Sequence, residues 1–226
     1  MTRIAALVPM RHQSVRVTNK NFRPFAGTPL CHHILNTLLA CPTIDAVYVD
    51  TDSPAIIEDV AQHFPQVRVI ERPEHLRSGE TPMNEVLLNT TAQVEADFYL
   101  QTHSTNPLLK SETIEAGLKQ FLAQYPACDS MFSVTRLQTR LWDQLGRPVN
   151  HNPHILLRTQ DLPPIFLENS NFYVFTRDAL VQRRNRIGDR PLMFEIDRIE
   201  AWDIDEELDF SIGEFLFYKR LEQKKS

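Results

Sequence analysis

The stretch "RIAALVPMRHQSVRVTNKN", residues 3–21, decides the fold. Residues 3–9 are apolar almost without alternation and end at a proline, as expected of a strand buried on both faces. Arg11, Arg16 and Lys20 follow, with no acid near them. A buried strand that opens into a basic loop predicts the first unit of a parallel α/β sheet. In such sheets ligands bind at the carboxyl ends of the strands, where this loop lies. The patterns GxxxxGK[ST] and GxGxxG are absent, and the loop has no glycine before Gly27. It is therefore neither a standard P-loop nor a standard dinucleotide site.

Outward from this stretch, strand-like and helix-like patterns alternate. Helical spacing marks 29–40, with Pro29 in the first turn, and 53–64, opened by Ser53-Pro54. It marks 81–96, with Thr81 as the cap, and 111–125, with a capping-box start. Strands are predicted at 46–52, 67–72, 97–102 and 130–136. The rhythm breaks at 137–170, which is rich in proline and turn residues and predicts an irregular insertion, a hairpin or short strands leaving the sheet. Beyond it, 171–177 and 198–205 read as strands, and 178–185 and 206–223 as helices. The expected fold class is α/β, a Rossmann-like, mostly parallel, doubly wound sheet. We expect one domain, 1–226, carrying the insertion 137–170.

The chain of 226 residues is 42% hydrophobic and 23% charged, so it can bury a sizeable core. No apolar run approaches a membrane span. The short apolar run at the amino end turns basic without a small-residue cleavage site, so it reads as a strand and not a signal peptide. Three cysteines without CxxC spacing fit a reduced, cytoplasmic setting. A net charge of −5 argues against a nucleic-acid coat. The charge is polarised, however. Residues 1–44 hold five Lys and Arg and no acid, whereas 195–214 hold nine acids and only Arg198. Two such segments, if they meet, can bind a polyanion and its metal; left apart, they are merely solvated faces. Asp203 and Asp205, two apart on a strand-like segment, would point their carboxylates to one side. That arrangement suits Mg²⁺ beside phosphate oxygens. Ser14 has no visible His-Asp partnership, and the histidines lack metal-ligand spacing.

The opening motif, Pro9, Arg11, Ser14, Arg16, Lys20 and Asn21, then Gly27, Pro29 and Leu30, resembles the amino-terminal signature of the acylneuraminate cytidylyltransferase family, the synthetases of CMP-sialic acid and CMP-Kdo. Further matches follow in order along nearly the whole chain: "DTDS" (50–53), "ERP" (71–73), "GETPMNEVL" (79–87), "LQTHSTNPLL" (100–109), "RTQDLPP" (158–164), "ENSNFYVF" (168–175) and "WDIDEELDF" (202–210). The chain departs from the family at His12-Gln13 and at Asn169-Ser170, where the family has Gly-Gly and Asn-Gly. The "LQTHSTNPLL" segment is also longer than the family's.

The resemblance implies a cytidylyltransferase that joins CTP to an acidic 2-keto-3-deoxy sugar, releasing pyrophosphate. It implies Arg11, Ser14, Arg16, Lys20, Arg72 and Thr81 at the nucleotide, with Arg11, Lys20 and Asp203 catalytic. Asp203 and Asp205 would hold Mg²⁺, and Gln101, Arg140, Asn169 and Tyr173 would meet the sugar. It also implies a homodimer formed through the insertion. Two other readings compete. One is a nucleotidyltransferase for another sugar or base, which lacks support from a GxGTR-type loop. The other is a non-catalytic nucleotide-binding protein of the same fold, which the missing Gly-Gly would suit.

Overall fold

The computed structural model describes residues 2–12 and 17–223. Ser14 and Arg16 fall outside them. Nine strands and six helices are described: β1 (Ile4–Met10), β2 (Pro24–Phe25), β3 (Thr28–Pro29), α1 (Leu30–Leu39), β4 (Ala46–Thr51), α2 (Pro54–His63), β5 (Arg68–Glu71), α3 (Met83–Gln93), β6 (Phe98–Thr102), α4 (Ser111–Gln124), β7 (Ser130–Leu137), β8 (Ile165–Phe175), α5 (Arg177–Arg183), β9 (Pro191–Glu195) and α6 (Glu207–Gln223). Seven strands make the main sheet in the order β5-β4-β1-β6-β8-β7-β9. β8 runs antiparallel to both its neighbours, while the other adjacent pairs are parallel. The sheet is mostly parallel and doubly wound, as expected.

β1 is buried along its full length because helices cover both faces. Ile4, Ala6, Val8 and Met10 pack with Ile34, Leu35 and Leu38 of α1 and Leu118 and Phe121 of α4. Ala5 and Leu7 point the other way, to Leu87 of α3 and Leu180 of α5. Ser53 caps α2 by accepting from the Ile56 N–H, with Pro54 in the first turn. His32 Nε2 meets Asp59 Oδ2 at 2.7 Å and pins α1 to α2.

Several elements differ from expectation. Thr81 does not cap α3; Pro82 occupies that position, its fixed φ already suited to a helix start. α4 has no side-chain cap from its own sequence. Instead Glu200 accepts from the Lys110 backbone N–H at 3.1 Å and from its ammonium at 2.7 Å. Within the insertion, β8 begins at Ile165 and pairs Val134–Leu137 with Ile165–Glu168. The irregular part is therefore 138–164, with one bridge between Trp142 and Pro148. β9 is a further strand that the sequence reading did not place, and 198–205 is not a strand. Asp197 Oδ1 accepts from the Ile199 N–H at 2.8 Å, and Asp209 Oδ2 accepts from the Asp205 and Glu206 N–H groups at 3.1 and 2.8 Å. These local side-chain bonds take the place of a ladder. No described helix is long and apolar enough to cross a membrane.

Candidate active site

A cleft of about 540 Å³ opens at the carboxyl ends of β1, β5 and β6. β1 delivers Pro9, Met10 and Arg11 to it, β5 delivers Arg72, and β6 delivers His103, Ser104 and Thr105. Lys20, Asn21, Met83, Ser170, Arg186, Asp203 and Asp205 complete the lining. A larger hollow, of about 640 Å³, lies near the amino ends of β1 and β6 and collects none of these groups.

The basic and acidic segments meet here. Lys20 Nζ donates to the Ile204 carbonyl at 2.6 Å and lies 3.9 Å from Asp205 Oδ1. Arg23 pairs with Glu207, and its guanidinium lies 4.1 Å from the Phe210 ring centroid. The Ala26 N–H donates to Glu214 at 2.8 Å. Ile204 anchors the acidic segment. Its side chain is buried with Val17, Phe25 and Leu30, and its N–H donates to the Thr105 carbonyl at 3.0 Å. Asp203 and Asp205 flank this anchor and both line the cleft, although the segment is not a strand.

Asp203 Oδ1 is buried and has no hydrogen-bond partner. Burial pushes the Asp203 carboxyl up from its ordinary range; Asp205 adds to this, while Thr105 and Lys20 oppose it. A buried acceptor without a donor, beside a second carboxylate, fits a hard cation. The residues present therefore fit Mg²⁺.

The expected nucleotide contacts are placed unevenly. Arg11 lines the cleft and donates to the Gly79 carbonyl at 2.7 Å. The His12 N–H donates to Asp52 Oδ1 at 2.8 Å, and its ring Nδ1 lies 2.9 Å from Ser53 Oγ. His12 thus ties the loop to the end of β4. Arg72 lines the cleft from a buried position. Its Nε donates to Asp50 Oδ1 at 2.6 Å, and Thr90 donates to the other carboxylate oxygen at 2.6 Å. Asp50 therefore serves this ion pair. Thr81 is outside the lining; Met83 comes closer.

Of the four expected sugar contacts, none lines the cleft. Gln101 and Tyr173 are fully buried. Tyr173 OH donates to Glu168, and its ring lies 3.6 Å beneath the Arg186 guanidinium. Asn169 is consumed by β7, accepting from Ser133 Oγ at 2.6 Å and donating to Thr135 Oγ1 at 3.0 Å. These bonds hold the irregularity where the β7–β8 register shifts. Ser170, which lines the cleft, has φ 58°, the left-handed conformation that favours the family's glycine at this place. Arg140 belongs to the irregular excursion, where it donates to the Leu157 carbonyl.

Two ionisable residues of the cleft lining escaped the sequence reading, His103 and Arg186. Burial, together with the charges of Arg186 and Lys20, pulls the His103 imidazole down to about 4, so it is neutral at pH 7. Arg186 sits in "RRNRIGD", a run that reads as solvated surface. Only the fold turns it inward.

A mostly parallel sheet whose carboxyl rim gathers cations and a carboxylate pair is the architecture of a nucleotidyltransferase. The chain matches the family described as Cytidylyltransferase over residues 5–225, and it belongs to that family. It is 26% identical over 218 residues to N-acylneuraminate cytidylyltransferase of Oncorhynchus mykiss, covering 93% of this chain and about half, 49%, of that protein. It is 25% identical to CMP-N,N'-diacetyllegionaminic acid synthase of Legionella pneumophila, covering 95% and 96%. The solved structure of CMP:2-keto-3-deoxy-manno-octonic acid synthetase complexed with CTP superposes with TM-score 0.72 at 15% identity, covering 97% of this chain and 100% of that one.

Proposed function

We propose that the protein couples CTP to an acidic 2-keto-3-deoxy sugar of the nonulosonic class, giving the CMP-sugar and pyrophosphate with Mg²⁺. The observation that carries this reading is the orphaned, buried Asp203 oxygen beside Asp205 and Lys20 at the rim of the sheet. The relatives matched across most of this chain, which take their names from acidic sugars, support the substrate class.

In this reading the sugar's anomeric oxygen attacks the α-phosphorus and the bond to pyrophosphate breaks. The residues position the partners and neutralise charge; they form no covalent intermediate. Lys20 and Arg11 draw the triphosphate to the end of β1. Arg72, locked by Asp50, holds the β5 rim rigid beside the nucleotide. Asp203 and Asp205 would hold the Mg²⁺, which when bound supplies charge neutralisation at the phosphate and acidifies a coordinated hydroxyl. A non-catalytic binder has no need of a carboxylate oxygen buried without a hydrogen-bond partner, which argues for turnover.

Subunit pairing through 138–164 belongs to the same proposal. Leu156 is 90% exposed, Leu145 68% and Val149 60%, on a segment with little packing of its own. Such a surface calls for a second copy. Light scattering should give twice the chain mass, and Leu156→Glu should shift it toward one chain.

Pyrophosphate release from CTP with Mg²⁺, across sialic, legionaminic, pseudaminic and Kdo acids, tests the activity and names the substrate. Release with one acid is expected. CTP binding without release from any of the four would return the non-catalytic reading.

A further inference from the structure

A cluster of metal-ligating side chains lies apart from the cleft, where α1 packs on α2. Cys31 and His32 stand in the first turn of α1, and Asp59 and His63 lie four apart on α2. Residues at that spacing share a helix face, so the two α2 side chains reach α1 together. Asp59 faces one imidazole through each carboxylate oxygen. His32 Nε2 lies 2.7 Å from Oδ2, and His63 Nδ1 lies 3.1 Å from Oδ1. The two ring centroids are 5.3 Å apart. The Cys31 thiol completes the group: its Sγ, a His32 ring nitrogen and an Asp59 oxygen all lie within 4.8 Å of one another. Cys31 and His32 are buried and Asp59 mostly so, while the half-exposed His63 opens the cluster to solvent on one side. None of the four lines the cleft. No ligand spacing marks the group along the chain; helix packing assembles it.

Thiolate, imidazole and carboxylate together are a donor set for Zn²⁺, whereas Mg²⁺ and Ca²⁺ take oxygen. A tetrahedral Zn²⁺ with bonds of about 2.0–2.3 Å sets its ligand atoms roughly 3.3–3.8 Å apart. The two hydrogen-bonded separations therefore open slightly, and the longer ones close by no more than about 1 Å, which side-chain torsions supply. We propose that Cys31, His32, Asp59 and His63 form a Zn²⁺ site that clamps α1 to α2. The thiol is protonated before the ion arrives, because burial and the Asp59 carboxylate push it up to about 12. As the Sγ–metal bond forms, that proton leaves to solvent. His32 binds through Nε2 and His63 through Nδ1, each as a neutral ring with its proton on the other nitrogen. His63 gives up a 3.1 Å contact with the Asp59 carbonyl oxygen in exchange. The site does not depend on the activity proposed above.

The test uses the full chain, reduced, stripped of metal by a chelator and kept in excess Mg²⁺, with Co²⁺ and Zn²⁺ as probes. A hard ion such as Mg²⁺ competes poorly for thiolate and imidazole. Co²⁺ should give a thiolate charge-transfer band and the visible bands of a tetrahedral ion, and Zn²⁺ should bleach them. Zn²⁺ alone should raise the melting temperature. Cys31→Ser should abolish the charge-transfer band. Asp59→Asn and His63→Gln, which leave the buried thiol in place, should keep the band at saturating Co²⁺ and weaken Zn²⁺ binding by at least roughly tenfold. A wild type without the charge-transfer band overturns the site and leaves a hydrogen-bonded cluster alone. A band that survives in Cys31→Ser also overturns it and assigns the band to Cys41 or Cys128. So does unchanged Zn²⁺ affinity in both Asp59→Asn and His63→Gln, the variants that carry the test if Cys31→Ser does not fold.

Discussion

One wall of the cleft mixes charges and the other does not. Along the loop after β1 and the segment 203–205, opposite signs are in reach of each other: Lys20 lies 3.9 Å from Asp205. At the ends of β6 and β8, Arg186 stands on an aromatic ring and a neutral amide, beside a neutral imidazole. A wall of mixed sign suits a polyphosphate that arrives with its metal, because each partner meets its complement. On the other wall Arg186 is the one cation of the described lining, and the charge of Glu168, which accepts from Tyr173, offsets it from outside the cleft. On the proposed function the first wall would take the triphosphate and its metal, and the predictions below break or sharpen that assignment.

Lys20→Ala should have the largest effect on turnover after the two carboxylates proposed to hold Mg²⁺. Kinetic assays should show a loss of roughly a hundredfold to a thousandfold in kcat/KM for CTP, the scale of removing one preorganised donor from a transition state. An effect confined to the sugar's KM would place Lys20 on the wrong wall. Arg72→Ala should act on stability first. It leaves Asp50 buried without its cation, at a cost of about 3–5 kcal/mol, readable by denaturant titration. A cost below about 1 kcal/mol would show that the ion pair does not brace the β5 rim.

The unmixed wall predicts a pH dependence. The His103 folded pKa, about 4, lies below the ordinary 6.5, so its neutral form is favoured in the fold. The unfolded chain binds the extra proton first, and stability is lost as pH falls from 6.5 toward 4. The slope from this residue is at most about 1.4 kcal/mol per pH unit. His103→Gln should flatten the stability curve in that window, and an unchanged slope would remove the claim. Arg147→Ala, which breaks an exposed pair with Asp143 in the excursion, should shift stability by no more than about 0.5 kcal/mol.

Much of the fold can be read from local sequence. β1 is continuous and apolar because both its faces are covered, and Ser53-Pro54 opens α2 by its own chemistry. What escapes local reading depends on distant partners. Pro191–Glu195 alternates exposed and half-buried residues and opens on proline, so β9 resembles loop until its backbone pairs with β7. "RIEAWDID" alternates like a strand because Ile204 must be buried, while its backbone groups are claimed by Asp197, Asp209 and Thr105. The site divides in the same way. Arg11, Lys20, Asp203 and Asp205 carry their charge in short motifs and do reach the cleft. Gln101, Asn169 and Tyr173 are polar residues in motifs too, but the sheet takes them for its own bonds. Arg186 lies in an unremarkable basic run, and only its packing on Tyr173 brings it inward.

The most direct measurement pairs CTP affinity with magnesium-dependent pyrophosphate release in Asp203→Asn. The substitution keeps the shape and removes the charge that the orphaned oxygen carries. Affinity for CTP should change little while release falls by roughly a thousandfold or more, the scale of losing a metal-assisted step. Release that stays near wild type would contradict the assignment of this wall to the metal and the triphosphate.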